Sequence, residues 1–77
     1  GNASAQADLG GMYATGKGVP QNSIMAHMWY NLGAANGHKL SGTNRDEIAK
    51  QMTPAAIEKA QAMALECISS GYMKCGY

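Results

Sequence analysis

Apolar residues recur at helical spacing in four separate segments of the chain, and no stretch sustains the period of two that marks a half-buried strand. In residues 2–16, NASAQADLGGMYATG, Ala5, Leu9, Met12 and Tyr13 fall at i, i+4, i+7 and i+8, which is one face of an amphipathic helix. Asn2 or Ser4 serves as its N-cap, and Gly16 suits the left-handed residue that ends it. Gly10 and Gly11 each cost about 1 kcal/mol against Ala inside a helix. A helix that carries both gains something in return, and close approach of a second backbone is the usual gain.

In residues 22–37, NSIMAHMWYNLGAANG, Asn22 or Ser23 caps a second helix and Asn36-Gly37 ends it. Ala26, Trp29, Tyr30, Gly33 and Ala34 form a single stripe that reads small, large, large, small, small. Small residues admit a partner helix, and Trp29 and Tyr30 fill the space beside it. A weaker stripe, Ser41, Arg45, Ile48, Ala49 and Met52, runs through residues 41–52. Thr53-Pro54 then stops one helix and starts another, with Thr as cap and Pro at the first helical position. The fourth segment, residues 54–70, repeats Ile57, Ala60, Gln61, Ala64, Cys67 and Ile68 at helical spacing and ends at Gly71.

The fold predicted from this pattern is all-α: four helices in two antiparallel pairs joined by short turns. The joint ATGKGVPQN, residues 14–22, sets the angle of the first pair. Gly16 and Gly18 permit positive φ, Val19 tucks into the seam, and Pro20 fixes the exit direction. The glycines resemble a phosphate-cradling loop only superficially, since no strand precedes them and Lys17 lies between them rather than after them.

Composition sharpens the picture. The chain has 77 residues, 45% of them hydrophobic, yet no Phe and one Trp. A core of that kind rests on close helix contacts, and a chain this short needs a staple, a metal or neighbours. The formal charge of +1, with scattered basic residues and no interleaved aromatics, gives no footprint for nucleic acid. No apolar run approaches the ~20 residues that span a bilayer. The residues after Gly1 lack a signal-peptide pattern, so a mature, cytosolic or trimmed chain is expected.

The combination Ala5-Gln6, Leu9-Gly10, Met12-Tyr13, Gly16-x-Gly18-Val19-Pro20-Gln21-Asn22, Ala26, Trp29-Tyr30, Ala34-Ala35 and Gly37 resembles the Sel1-like repeat. That family belongs to the tetratricopeptide-type α-solenoids, with a unit of roughly 36 residues. The resemblance implies a Sel1-like unit over residues 2–37 with the repeat signature Leu9, Gly10, Tyr13, Gly16, Gly18, Val19, Pro20, Ala26, Trp29, Tyr30, Ala34 and Gly37. Residues 38–77 read as a degenerate repeat, or C-terminal capping helices with a tail. There Met52-Thr53-Pro54 and Ala60-Gln61 resemble the segment that often closes a bacterial array of these repeats, while the Leu-Gly, Gly-x-Gly-Val and Trp-Tyr marks are missing. The family pattern tolerates Ala or Lys at Gly33, which predicts a slightly looser second helix. About three units are usually needed to bury a continuous core. The expectation is therefore the C-terminal end of a longer array, or self-association through the open N-terminal helix pair.

Cys67 and Cys75 lie eight positions apart, and Gly71 lets the chain reverse between them. A disulfide there closes a loop worth about 2.5 kcal/mol in chain entropy. Some secreted members of the resembled family carry paired cysteines at a similar interval. A bond implies a periplasmic or secreted setting; two free thiols, with Cys67 a small buried hydrophobe, leave the cytoplasm open, and a redox-active pair is a third reading. Met25, His27 and Met28 are soft or borderline copper ligands, but Met25 and Met28 share a side of the helix and His27 points elsewhere, so filler of a core or interface is the simpler reading. His38 is read as favouring the end of the second helix from outside. Asp46-Glu47 are adjacent and cannot face each other across a substrate. The serines Ser4, Ser23, Ser41, Ser69 and Ser70 lack a strained nucleophile turn or an S-x-x-K motif. Arg45, Asp46, Glu47 and Lys50 read as a solvated face.

The resemblance thus implies a binding module with no catalytic residues, cofactor or metal, which presents a helical surface to a protein or peptide. Tyr13, Met25 and Met28 are its candidate contacts if they lie outside the core. Two other readings stay open: a β-lactamase or penicillin-binding-like hydrolase, a label carried by some cysteine-rich relatives, and a purely structural cap.

Overall fold

Asn2 opens the first helix, α1 (Ala3–Thr15), in the computed structural model, which describes residues 2–75. Three more follow: α2 (Ser23–Ala35), α3 (Lys39–Ala49) and α4 (Pro54–Ser69). No strand occurs among the described residues. The caps are read from side-chain chemistry. Asn2 Oδ1 accepts from the Ala5 N–H at 3.1 Å, Asn22 Oδ1 from Met25 at 3.1 Å, and Thr53 Oγ1 from Ala56 at 3.1 Å. Each oxygen satisfies one of the donors that the first helical turn leaves without a partner.

The helix ends are closed as economically. The Gly16 N–H donates to Met12 O at 2.8 Å with φ at 75°, the left-handed termination its lack of a Cβ allows. At the end of α2, Gly37 N–H reaches Ala34 O and His38 N–H reaches Gly33 O at 2.9 Å. This paired closure turns the chain straight into α3, so α3 starts at Lys39 rather than Ser41. His38 therefore occupies the N-cap position of α3 while its backbone N–H closes α2. At its other end α3 stops at Ala49, short of Met52. Residues 48–52 tighten into three-residue closures (Gln51 N–H to Ile48 O, Met52 N–H to Ala49 O) before Pro54 holds Thr53 extended, with φ −73° and ψ 156°.

The core sits on α2. Its residues 25–30 are all buried, as are Leu32 and Gly33. The single stripe expected on this helix is corrected: α1, α3 and α4 all pack on it, so it is covered all round. Met25, Met28, Trp29 and Leu32 form the cluster with Ala64, Cys67 and Cys75, and Leu9, Tyr13, Met63 and Tyr72 close its margin. Within the all-α architecture, α3 and α4 touch each other little and each leans on α2. On α4 the buried line is Ala60, Ala64 and Cys67, while Gln61 and Ile68 of the predicted stripe are exposed. One narrow face of small residues suffices for a helix that packs on a single neighbour.

Candidate interaction surface

The α1–α2 hairpin is built around an absent side chain. A Cβ on Gly10 would stand 2.7 Å from Tyr30 Cδ1 and 2.9 Å from Cγ, so the Tyr30 ring occupies the place a side chain would need. Gly10 is buried, and the neighbouring Gln6 is buried with it. The buried line on α1 is thus Gln6, Gly10 and the half-buried Leu9 and Tyr13, whereas Ala5 and Met12 of the predicted stripe face outward. The two helices run antiparallel, as Tyr13 O accepting from Asn22 N–H at one end and Gln6 meeting Asn36 at the other require. In the elbow Gly18 takes φ 81°, Val19 is half-buried and Pro20 is exposed. Ala26, Trp29 and Tyr30 are buried and Ala34 is half-buried. Burial raises the Tyr30 hydroxyl pKa above its ordinary value, because the phenolate would lose its water.

A second close approach joins α2 to α3. A Cβ on Gly33 would lie 2.6 Å from Ser41 Oγ, 3.3 Å from Ser41 Cβ and 3.4 Å from Ala3 O. Gly33 therefore does not loosen α2; its bareness lets the first turn of α3 dock. Ser41, fully buried, bonds through Oγ to His38 Nδ1 at 2.8 Å. The pair has the composition of a nucleophile and a base, but its hydroxyl has no path to a substrate. Further along the same seam Arg45 Nη1 donates to Asn31 Oδ1 at 2.8 Å and its Nε pairs with Asp46 Oδ1 at 3.2 Å. Arg45 thus belongs to the seam as well as to the charged face, where Lys50 meets Glu47 at 3.1 Å.

His27 is 2% exposed, and its Nδ1 has no hydrogen-bond partner among the described residues. Desolvation first, and then the Arg45 charge, lower its pKa, with Asp46 opposing. The ring is held neutral. Met25 at 8% and Met28 at 0% exposure are core, and Tyr13 lies against it. Met25 and Met28 are thereby removed as candidate partner contacts, while Tyr13 is only half-buried. Among the described residues no group of three His, Cys, Asp or Glu side chains is placed to hold a metal.

What the surface offers lies elsewhere. An open depression of about 400 Å³ follows α1, lined by Ala7, Asp8, Gly11, Met12, Thr15 and Lys17. Elsewhere Leu65 and Ile68 of α4 and Met73 beyond it are exposed, and a groove of about 360 Å³ lies between Met63, Glu66, Lys74 and Cys75. Cys67 and Cys75 are joined as a disulfide, with their Cα atoms 4.5 Å apart. That bond is compatible with an oxidising compartment. No helix among the described residues is long and apolar enough to cross a membrane.

Some of this was not visible in the sequence. Asn36, read only as a helix terminator, has Nδ2 within reach of Gln6 Oε1 at 2.9 Å, Leu32 O at 3.0 Å and Tyr72 Oη at 3.0 Å. The only sequence signal for Gln6 was its place beside Ala5, and none pointed to Tyr72.

A helical hairpin closed by a glycine-proline elbow, with a third helix docked on its second, is the unit of a tetratricopeptide-like α-solenoid. Residues 3–38 match the family model of the Sel1 repeat, so α1 and α2 with their connecting elbow are a Sel1 repeat. No curated protein and no solved structure matches the chain.

Proposed function

We propose that the chain is the closing segment of a Sel1-repeat solenoid and works as a protein–protein interaction module, with its unit boundary at Gly37 and residues 38–77 as the cap. Gly76 and Tyr77, the end of the expected tail, lie outside the described residues. Sel1 repeats generally serve protein interactions, and this supports a protein or peptide partner held by shape.

One observation carries the array reading. Asn2 and His38, thirty-six positions apart, take nearly the same N-cap conformation, with φ, ψ of −85°, 111° and −82°, 107°. Ala5, Leu9 and Met12 of α1 then correspond to Ser41, Arg45 and Ile48 of α3. In α3 two of those residues meet α2: Ser41 is fully buried against Gly33 and Arg45 bonds Asn31. In α1 their counterparts Ala5 and Met12 are exposed. Ala5 and Met12 thus leave an edge of α1 open beside Leu9, which packs against the core. A preceding hairpin of the same kind fits it, as self-association through this helix pair also would.

Duplicating residues 2–37 ahead of Asn2 tests the reading. The expected result is a higher melting temperature. Met12→Glu at the junction of the two units should remove that gain while leaving the single-unit chain nearly unchanged. A tandem chain whose two hairpins melt separately would refute the docking role of α1.

A further inference from the structure

We propose that residues 71–75 form a strap whose seating on Asn36 controls access of thiol reagents to the Cys67–Cys75 disulfide. Both sulfurs are enclosed, with Cys67 at 0% and Cys75 at 2% exposure. A thiolate must reach sulfur to exchange with it, so the strap leaves its place before the bond breaks or forms. Tyr72 sits inside the loop that the disulfide closes. Its backbone N–H donates to Cys67 O at 2.7 Å, and its φ of 68° lies in a region side chains rarely adopt. The strap is pinned on one side by Lys74 N–H to Ser70 Oγ at 3.0 Å. On the other, Tyr72 Oη meets the Asn36 amide, 3.0 Å from Nδ2, and Asn36 in turn holds Gln6 of α1. Residues 36 positions apart, on the hairpin and on the strap, thus meet through one amide.

The chemistry is ordinary exchange. A dithiol reagent attacks one protein sulfur as its thiolate, forms a mixed disulfide and releases the other cysteine as a thiolate. Its second thiol then displaces the protein, leaving two cysteine thiols and an oxidised cyclic reagent. Two electrons pass from reagent to protein. Because the Tyr72–Asn36 contact favours the seated strap, it slows this exchange.

The test follows reduction of the folded, oxidised full chain by dithiothreitol, quenched by alkylation and read by mass. Tyr72→Phe and Asn36→Ala should each accelerate reduction by roughly 2- to 10-fold, the range one lost hydrogen bond gives. The double variant should be no faster than the faster single. Gly10→Ala, which strains the hairpin away from the strap, should stay near the wild-type rate. In the reduced chain Tyr72→Phe should leave the melting temperature unchanged. Wild-type rates in Tyr72→Phe and Asn36→Ala would overturn the proposal. So would equal acceleration by Gly10→Ala, since global unfolding would then be what exposes the bond.

Discussion

Between α1 and α2 the helices meet because Gly10 has nothing to put in the way of Tyr30. In the C-terminal half the two helices have no such seam with each other. There α3 and α4 scarcely touch, α3 is held by Ser41 and Arg45 against α2, and α4 by a line of alanines and a disulfide. The hairpin carries both sides of its own seam within one stretch of sequence. In the second half each helix carries only one side of its main packing seam, and α2 supplies the other. A segment of that kind draws its order from its neighbour.

The sharpest way to break this comparison is at the residue both halves share. Trp29→Ala should cost about 3–5 kcal/mol, as for a buried aromatic truncated in a core. It should unfold both halves in one transition by circular dichroism in urea. Cys75→Ser should cost about 2.5 kcal/mol through lost loop closure. Hydrogen exchange should then show α4 opening before α1–α2, and simultaneous opening would deny the halves their difference. Gly10→Ala should reverse the order. Overpacking against the Tyr30 ring costs about 1–3 kcal/mol and the helical gain of Ala returns about 1, so a net loss of up to about 2 kcal/mol falls on the hairpin.

A smaller effect should appear with pH. The folded state holds the His27 pKa below 6.5, its model-peptide value. Below that value the unfolded chain binds a proton that the folded chain refuses, so the unfolded state gains. The contribution of neutral His27 is complete above about pH 6.5 and is lost as pH falls through the lowered folded value. Chemical denaturation of wild type and His27→Gln from pH 7.5 to 5 should show a steeper fall for wild type, set at the α2–α3 seam; parallel slopes would exclude His27 as the cause. Smallest of all, Met12→Glu in the single-unit chain should change stability by no more than about 0.5 kcal/mol, since Met12 is a surface residue there.

The helices were legible where local chemistry decides them. Asn22 and Thr53 cap as their side chains suggest, and Gly16 ends α1 in the left-handed conformation. Which face of a helix is buried was less legible. Periodicity placed Ala5 and Met12 with Leu9, because it groups apolar residues together and cannot tell a face that docks on α2 from one left open. It passed over Gln6 because polar residues are usually outside; here an amide partner on Asn36 offsets the cost of burial. That His38 also opens α3 was not legible, because only the closure of α2 by its backbone N–H reveals how soon α3 begins.

The sequence by itself determined what a few neighbouring residues can enforce: four helical segments, their caps and breaks, the glycine-proline elbow and the Sel1 signature over the first two helices. It did so because capping, backbone freedom and helical period act over one or two turns of chain. Only the tertiary structure decided that α2 is the hub, that Gly33 exists to admit Ser41, and that Tyr72 reaches back to Asn36. Those contacts join residues far apart in sequence, and their geometry depends on where three other helices come to rest.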